Sequence, residues 1–143
     1  MREILFRAKI IRTESVWVEG FYVHIPCGRF ACDEHLIQAI DADGRIGQLY
    51  TVYESTLGQF TGLIDKNGQK IFEGDIVHVL GNQQVEDWKN VNYIGSVAFL
   101  DAGFCVIDGT VEDHAFRRYQ LPRLDFDLEV IGNIYDNPEL LEE

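Results

Sequence analysis

At 143 residues, with 46% hydrophobic side chains including nine Phe, six Tyr and two Trp, the chain holds enough apolar surface for a core, which excludes wholesale disorder. Its net charge of −12 is uneven: residues 1–71 carry −1 and residues 72–143 carry −11. A neutral half joined to an acidic half has no surplus of the basic side chains that displace counterions from phosphate, so direct nucleic-acid binding is not expected, whereas a basic partner is permitted.

Taken in chain order, period-2 patterns dominate. In Ile4–Ile11, residues Ile4, Phe6, Ala8 and Ile10 fall on one face and Arg7 and Lys9 on the other. Val16–Ile25 is rich in β-branched and aromatic residues, with Gly20 marking a bulge. Asp33 caps a short helix over Glu34–Ala39 in this reading. Asp43-Gly44 and Asn67-Gly68 are hairpin dipeptides, so Leu63–Asp65 should pair with Gln69–Phe72. Gly74-Asp75 opens a strand over Ile76–Leu80, and the polar, aperiodic stretch 81–91 is an exposed loop. Ile94–Leu100 and Phe104–Ile107 form a hairpin, with Cys105 as a buried small hydrophobe. Leu124–Ile131 alternates cleanly, with Leu124, Phe126, Leu128 and Val130 inward and Asp125, Asp127 and Glu129 outward. Asn137-Pro138-Glu139 reads as the start of a last short helix. The fold class expected is mainly β, a small barrel or sandwich with one or two short helices.

No stretch has the length to span a bilayer, and Met1–Ile11 lacks the apolar run of a signal peptide. Cys27, Cys32 and Cys105 are odd in number, which fits reduced thiols in a cytoplasm better than a disulfide scaffold.

Three segments in this order and spacing resemble the YopX-like family of bacteriophage and prophage proteins. They are residues 2–9 with Trp17-Val18-Glu19-Gly20-Phe21, the run from Gly58 to Val77, and the run from Glu129 to Leu141. Phe60 stands where the family usually has Tyr, and Ala8 where it usually has Gly. The resemblance covers nearly the whole chain. It implies a mainly β protein of phage or prophage origin, with no established activity or catalytic residues to carry over. It also implies one compact β protein over 1–143, divisible into an N-terminal subdomain, 1–57, and a C-terminal SH3-like barrel, 58–143. The residues of the shared runs read first as structural. Thr61, Asp75, Asn133 and Asp136 suit bonds to neighbouring backbone at strand ends.

The sharpest chemical constellation is His24, Cys27, Cys32 and His35, four zinc-type ligands within twelve positions. Its spacing departs from that of standard zinc knuckles, and a turn at Gly28 with both histidines on a sheet surface explains the same residues. Asp125, Asp127 and Glu129 on one strand face suit either a hard cation or plain solvation. Ile40–Gly44 suggests a calcium loop, but its Gly comes too early and a hairpin turn accounts for it. Ser15, Ser55 and Ser96 lack a nucleophile-elbow context, and Asp113 and His114 are adjacent and point apart on a strand. No phosphate loop or dinucleotide fingerprint occurs.

The expectation is therefore a non-enzymatic module that binds a host or phage protein, with no cofactor, no membrane contact, and self-association open. The alternatives are a zinc-dependent enzyme or metal-binding protein at His24, Cys27, Cys32 and His35, and an acidic nucleic-acid mimic that occupies a basic partner.

Overall fold

The alternating residues near the N-terminus fold as β1 (Phe6–Lys9) and β2 (Trp17–Ile25), paired antiparallel with Ala8 opposite Val18. They belong to a computed structural model that describes residues 3–13, 15–26, 33–84, 86–87, 89–100, 103–108, 118–120 and 126–142. The remaining strands are β3 (Glu34–Ile40), β4 (Ile46–Thr51), β5 (Gly58–Ile64), β6 (Lys70–Phe72), β7 (Asp75–Gly81), β8 (Asn92–Leu100), β9 (Gly103–Asp108), β10 (Arg118–Gln120) and β11 (Phe126–Asn133). Among the described residues, helix is confined to 3-10 turns at Glu54–Thr56 and Pro138–Leu141. The protein is mainly β, and its described residues form two antiparallel sheets and no closed barrel.

The chain divides into two units, residues 1–60 and 61–143. In the first, the strand order is β4-β3-β2-β1, with β1 paired on its other side to the start of β5. Period-2 geometry sends Phe6 and Ala8 of β1 to the same side as Ile37 and Ala39 of β3, where they pack with Val18, Tyr50, Val52 and Leu57. Ile4 lies ahead of β1 and is exposed instead of joining that row. The outer face of β2 carries Trp17, Glu19, Phe21, Val23 and Ile25, and the Arg7 guanidinium sits 4.9 Å from the Trp17 ring centre.

Two expectations for this unit are corrected. Residues 34–40 form β3 and not a helix, because β2 offers a complete antiparallel partner from Gly20 to Ile25. Helix-forming residue types yield to that pairing. Gly20 is paired on both sides without a register shift, so it marks no bulge. Its role is close approach, since a methyl group there would collide with the Gln38 carbonyl oxygen. The turn between β3 and β4 is the hairpin expected, with Gly44 at φ 80° and the Asp41 carboxylate accepting from the N–H groups of Asp43 and Arg45.

In the second unit the order is β10-β9-β8-β7-β11, an open sheet where an SH3-like barrel was expected. Its core gathers Ile71, Val77, Val79, Tyr93, Val97 and Val106, with Leu128 and Val130 packed against them. Asp127, just before Leu128, is exposed as the alternation requires, whereas Leu124 and Asp125 lie outside the described residues. Cys105 is buried on β9. The hairpin between β5 and β6 turns at Gly68, φ 81°, and the hairpin of β8 with β9 pairs Val97 with Val106.

Three of the shared-run residues, Thr61, Asp75 and Asn133, act as expected on the backbone, while the Asp136 carboxylate accepts from the Asn133 side-chain amide. The Thr61 hydroxyl donates to the Ile71 carbonyl at 2.8 Å, and the Asp75 carboxylate accepts from the Phe72 N–H at 2.7 Å. Asn133 accepts from the N–H groups of Tyr135 and Asp136. Asn137 does not cap the last turn through its side chain as its position suggests; its amide oxygen accepts from the Asn133 N–H instead.

Candidate functional site

Antiparallel pairing of β2 with β3 places His24 directly opposite His35. Facing residues of such a pair stand close enough for ring contact. The two imidazoles stack with centroids 4.5 Å apart and planes 5° from parallel. Tyr22, two positions before His24 and so on the same face, lies parallel to the His35 ring at 5.9 Å, and its hydroxyl meets His35 Nδ1 at 2.5 Å. That contact leaves His35 Nε2 pointed at the Glu54 carboxylate, 3.2 Å away. On the other ring, His24 Nε2 lies 3.6 Å from the Asp33 carboxylate.

One ligand atom each from His24, Asp33 and His35 lies within 4.8 Å of the others. His35 is the best sheltered of the group, with 12% of its side chain exposed, while His24 and Asp33 are open to solvent on one side. Burial raises the Tyr22 phenol above its ordinary value, and the charges of Glu54 and Asp33 add to that shift. The hydroxyl is therefore a neutral donor or acceptor at ordinary pH.

Of the four residues singled out from sequence, the structure brings His24 and His35 together, and Cys27 and Cys32 lie outside the described residues. Asp33, Tyr22 and Glu54 were not foreseen as parts of the cluster. Tyr22 was within reach of sequence reasoning, because it shares a strand face with His24. Glu54 was not, because only the tertiary fold returns it to β3. Asp113 and His114 lie outside the described residues, as does Asp125. Glu129 pairs with Lys66 at 3.4 Å.

A second feature lies on the opposite side of the same sheet. Phe21, Val23 and Ile25 project from one face of β2 at 48%, 41% and 45% exposure, and Ile46 and Leu49 of β4 are likewise exposed. β4 ends the strand order of its sheet, and its sequence, Ile-Gly-Gln-Leu-Tyr-Thr, holds no charge and no proline. The second unit has a recess of about 300 Å³ lined by His78, Tyr93, Ile94 and Leu141, where His78 Nε2 meets the Asn92 amide oxygen at 2.6 Å. Among the described residues, no helix is long and apolar enough to cross a membrane.

These features define an antiparallel two-sheet β protein with an uncharged sheet edge and a cross-strand histidine pair. The chain belongs to the YopX family, whose family model, described as YopX protein, matches residues 11–142. The fold is similar to the crystal structure of protein EF1440 from Enterococcus faecalis, at 25% identity and a TM-score of 0.52 over 99% of this chain and 100% of that one. It is also similar to that of protein YopX from Bacillus subtilis, at 18% identity and a TM-score of 0.53 with the same coverage, a likeness of fold alone. Comparison with curated proteins gives no match.

Proposed function

We propose that the chain is a non-enzymatic accessory protein of phage or prophage origin that acts in the bacterial cytoplasm by binding another protein. The observation that carries this reading is β4, an exposed edge strand without the charges, proline or bulk that usually block strand addition. An extended segment of a partner adds to that edge through main-chain hydrogen bonds. Its apolar side chains then lie beside Leu49 and extend the apolar face that Phe21, Val23 and Ile25 form two strands further in. The net charge of −12 favours a basic partner over a second copy through long-range attraction, although β4 itself lies in the half of the chain that carries only −1.

The test compares the wild-type chain with Ile46→Lys and Leu49→Lys as bait in bacterial lysate, alongside light scattering of the purified protein. The expected result is capture of a basic protein by the wild type and its loss in both variants, with the purified chain monomeric. Capture that both variants retain overturns the edge as the docking element. A wild-type dimer that Leu49→Lys dissociates overturns the heterologous partner.

A further inference from the structure

We propose that His24, Asp33 and His35 form a binding site for a late first-row divalent cation of the zinc type, bridging β2 and β3. This site lies on the face of the sheet opposite the exposed apolar row and does not depend on the docking role of β4.

Three observations converge on it. The donor set is two imidazoles and a carboxylate, which favours zinc and its neighbours over calcium or magnesium, whose ligands are all oxygen. The three donors already lie within 4.8 Å of one another. Ligands at about 2.0–2.2 Å from a tetrahedral zinc are about 3.3–3.6 Å apart, so small side-chain rotations close the site. With both imidazoles neutral, the Asp33 and Glu54 carboxylates leave the cluster negative, matched to a divalent ion.

The Tyr22 hydroxyl supplies the support that histidine ligands ordinarily have. A metal-bound imidazole donates its second N–H to a fixed acceptor, which holds the ring and its tautomer. With Nε2 on the metal, His35 carries its proton on Nδ1 and donates it to the Tyr22 oxygen, 2.5 Å away. Without metal the same hydroxyl donates to Nδ1, and Nε2–H points to Glu54. One hydroxyl thus serves both tautomers without a change of rotamer. Tyr22 is a positioning residue; the ligands are His24, Asp33 and His35.

Calorimetric titration of the purified full chain with zinc tests the site, with circular dichroism confirming that each variant is folded. The expected stoichiometry is one ion per chain. His24→Gln and His35→Gln should each weaken binding more than about tenfold, and Tyr22→Phe about tenfold through its support of His35. His78→Gln, in the second unit, should leave affinity unchanged, as should the double replacement Cys27→Ser with Cys32→Ser. Absence of saturable zinc binding by the wild type overturns the proposal. So does affinity that survives His24→Gln and His35→Gln combined, or that vanishes only when the two cysteines are replaced.

Discussion

Val130 donates its backbone N–H to the Asp65 carboxylate at 3.0 Å, joining residues 65 positions apart. The same carboxylate accepts from the N–H groups of Asn67 and Gln69, so one side chain closes the β5–β6 turn and ties it to β11. Asp65 is buried, and its long-range bond meets β11 at the last residue before the register on β7 shifts between Val130 and Gly132. Strand alternation turns Val130 N–H away from β7, on the side where the Leu128 carbonyl accepts from Lys66 N–H, and Asp65 supplies its partner there.

Asp65→Asn should therefore cost about 1–3 kcal/mol at neutral pH, read as a fall in the urea midpoint. Burial alone would raise this carboxyl, but the three backbone donors and then Lys66 outweigh it, and the net shift is downward. Its pKa in the folded protein lies below the unfolded value of about 3.9, so its stabilisation is complete above that value and is lost as pH falls through the folded one. The wild type's advantage over Asp65→Asn should hold from neutral pH down to about pH 5 and shrink on further acidification. An advantage that grows in acid contradicts this account.

Thr56 offers a second such link. Its hydroxyl accepts from the Lys9 N–H at 2.9 Å and donates to the Tyr53 carbonyl at 2.8 Å. Thr56→Val keeps the shape but leaves that partly buried N–H without its acceptor. Thermal unfolding should show a loss of about 1–3 kcal/mol, and a change under about 0.5 kcal/mol would mean that water reaches the Lys9 N–H freely.

The phenol of Tyr22 should ionise above the ordinary tyrosine value of about 10. Ultraviolet titration of the wild type minus Tyr22→Phe isolates this group from the other five tyrosines. In Glu54→Gln the isolated phase should move to lower pH while staying above the ordinary value, because desolvation is the larger cause and persists. A phase at the ordinary value in the wild type would contradict the buried placement.

Ile37 and Phe21 separate packing from surface on the same sheet. Ile37 is fully buried in the core of the first unit, so Ile37→Ala should destabilise by about 2–5 kcal/mol in chemical denaturation. Phe21 stands 48% exposed on the other face, and Phe21→Ser should stay within about 1 kcal/mol. Equal losses at both positions would show that the outer face is covered.

The strands that alternate, or that flank a dipeptide able to hold positive φ, were legible from the chain alone. β7, the β8–β9 hairpin and the turn at Gly68 follow from local chemistry that the tertiary fold leaves intact. β3 was not legible, because Glu34-His35-Leu36-Ile37-Gln38-Ala39 carries helix-forming residues behind an Asp suited to capping, and only the waiting partner β2 makes it a strand. That one misreading also hid how His24 and His35, both singled out from the sequence, come together. Two histidines eleven positions apart face each other only through the register of a hairpin, and Asp33 joins them only as the residue that leads into β3. Glu54 arrives from beyond the next strand, β4, a return that no local pattern announces.

The closeness of β2 to β3 at Gly20 bears on how this chain can drift through mutation. Turn glycines such as Gly44 and Gly68 have open space around them, so a residue that tolerates positive φ can replace them. Gly20 has no such exit, because even a methyl group meets the Gln38 carbonyl, and neither strand can retreat without losing its ladder. Among variants that survive selection for folding, position 20 should stay glycine while its neighbours diversify. It thus marks the hairpin that carries the histidine pair more durably than the histidines themselves.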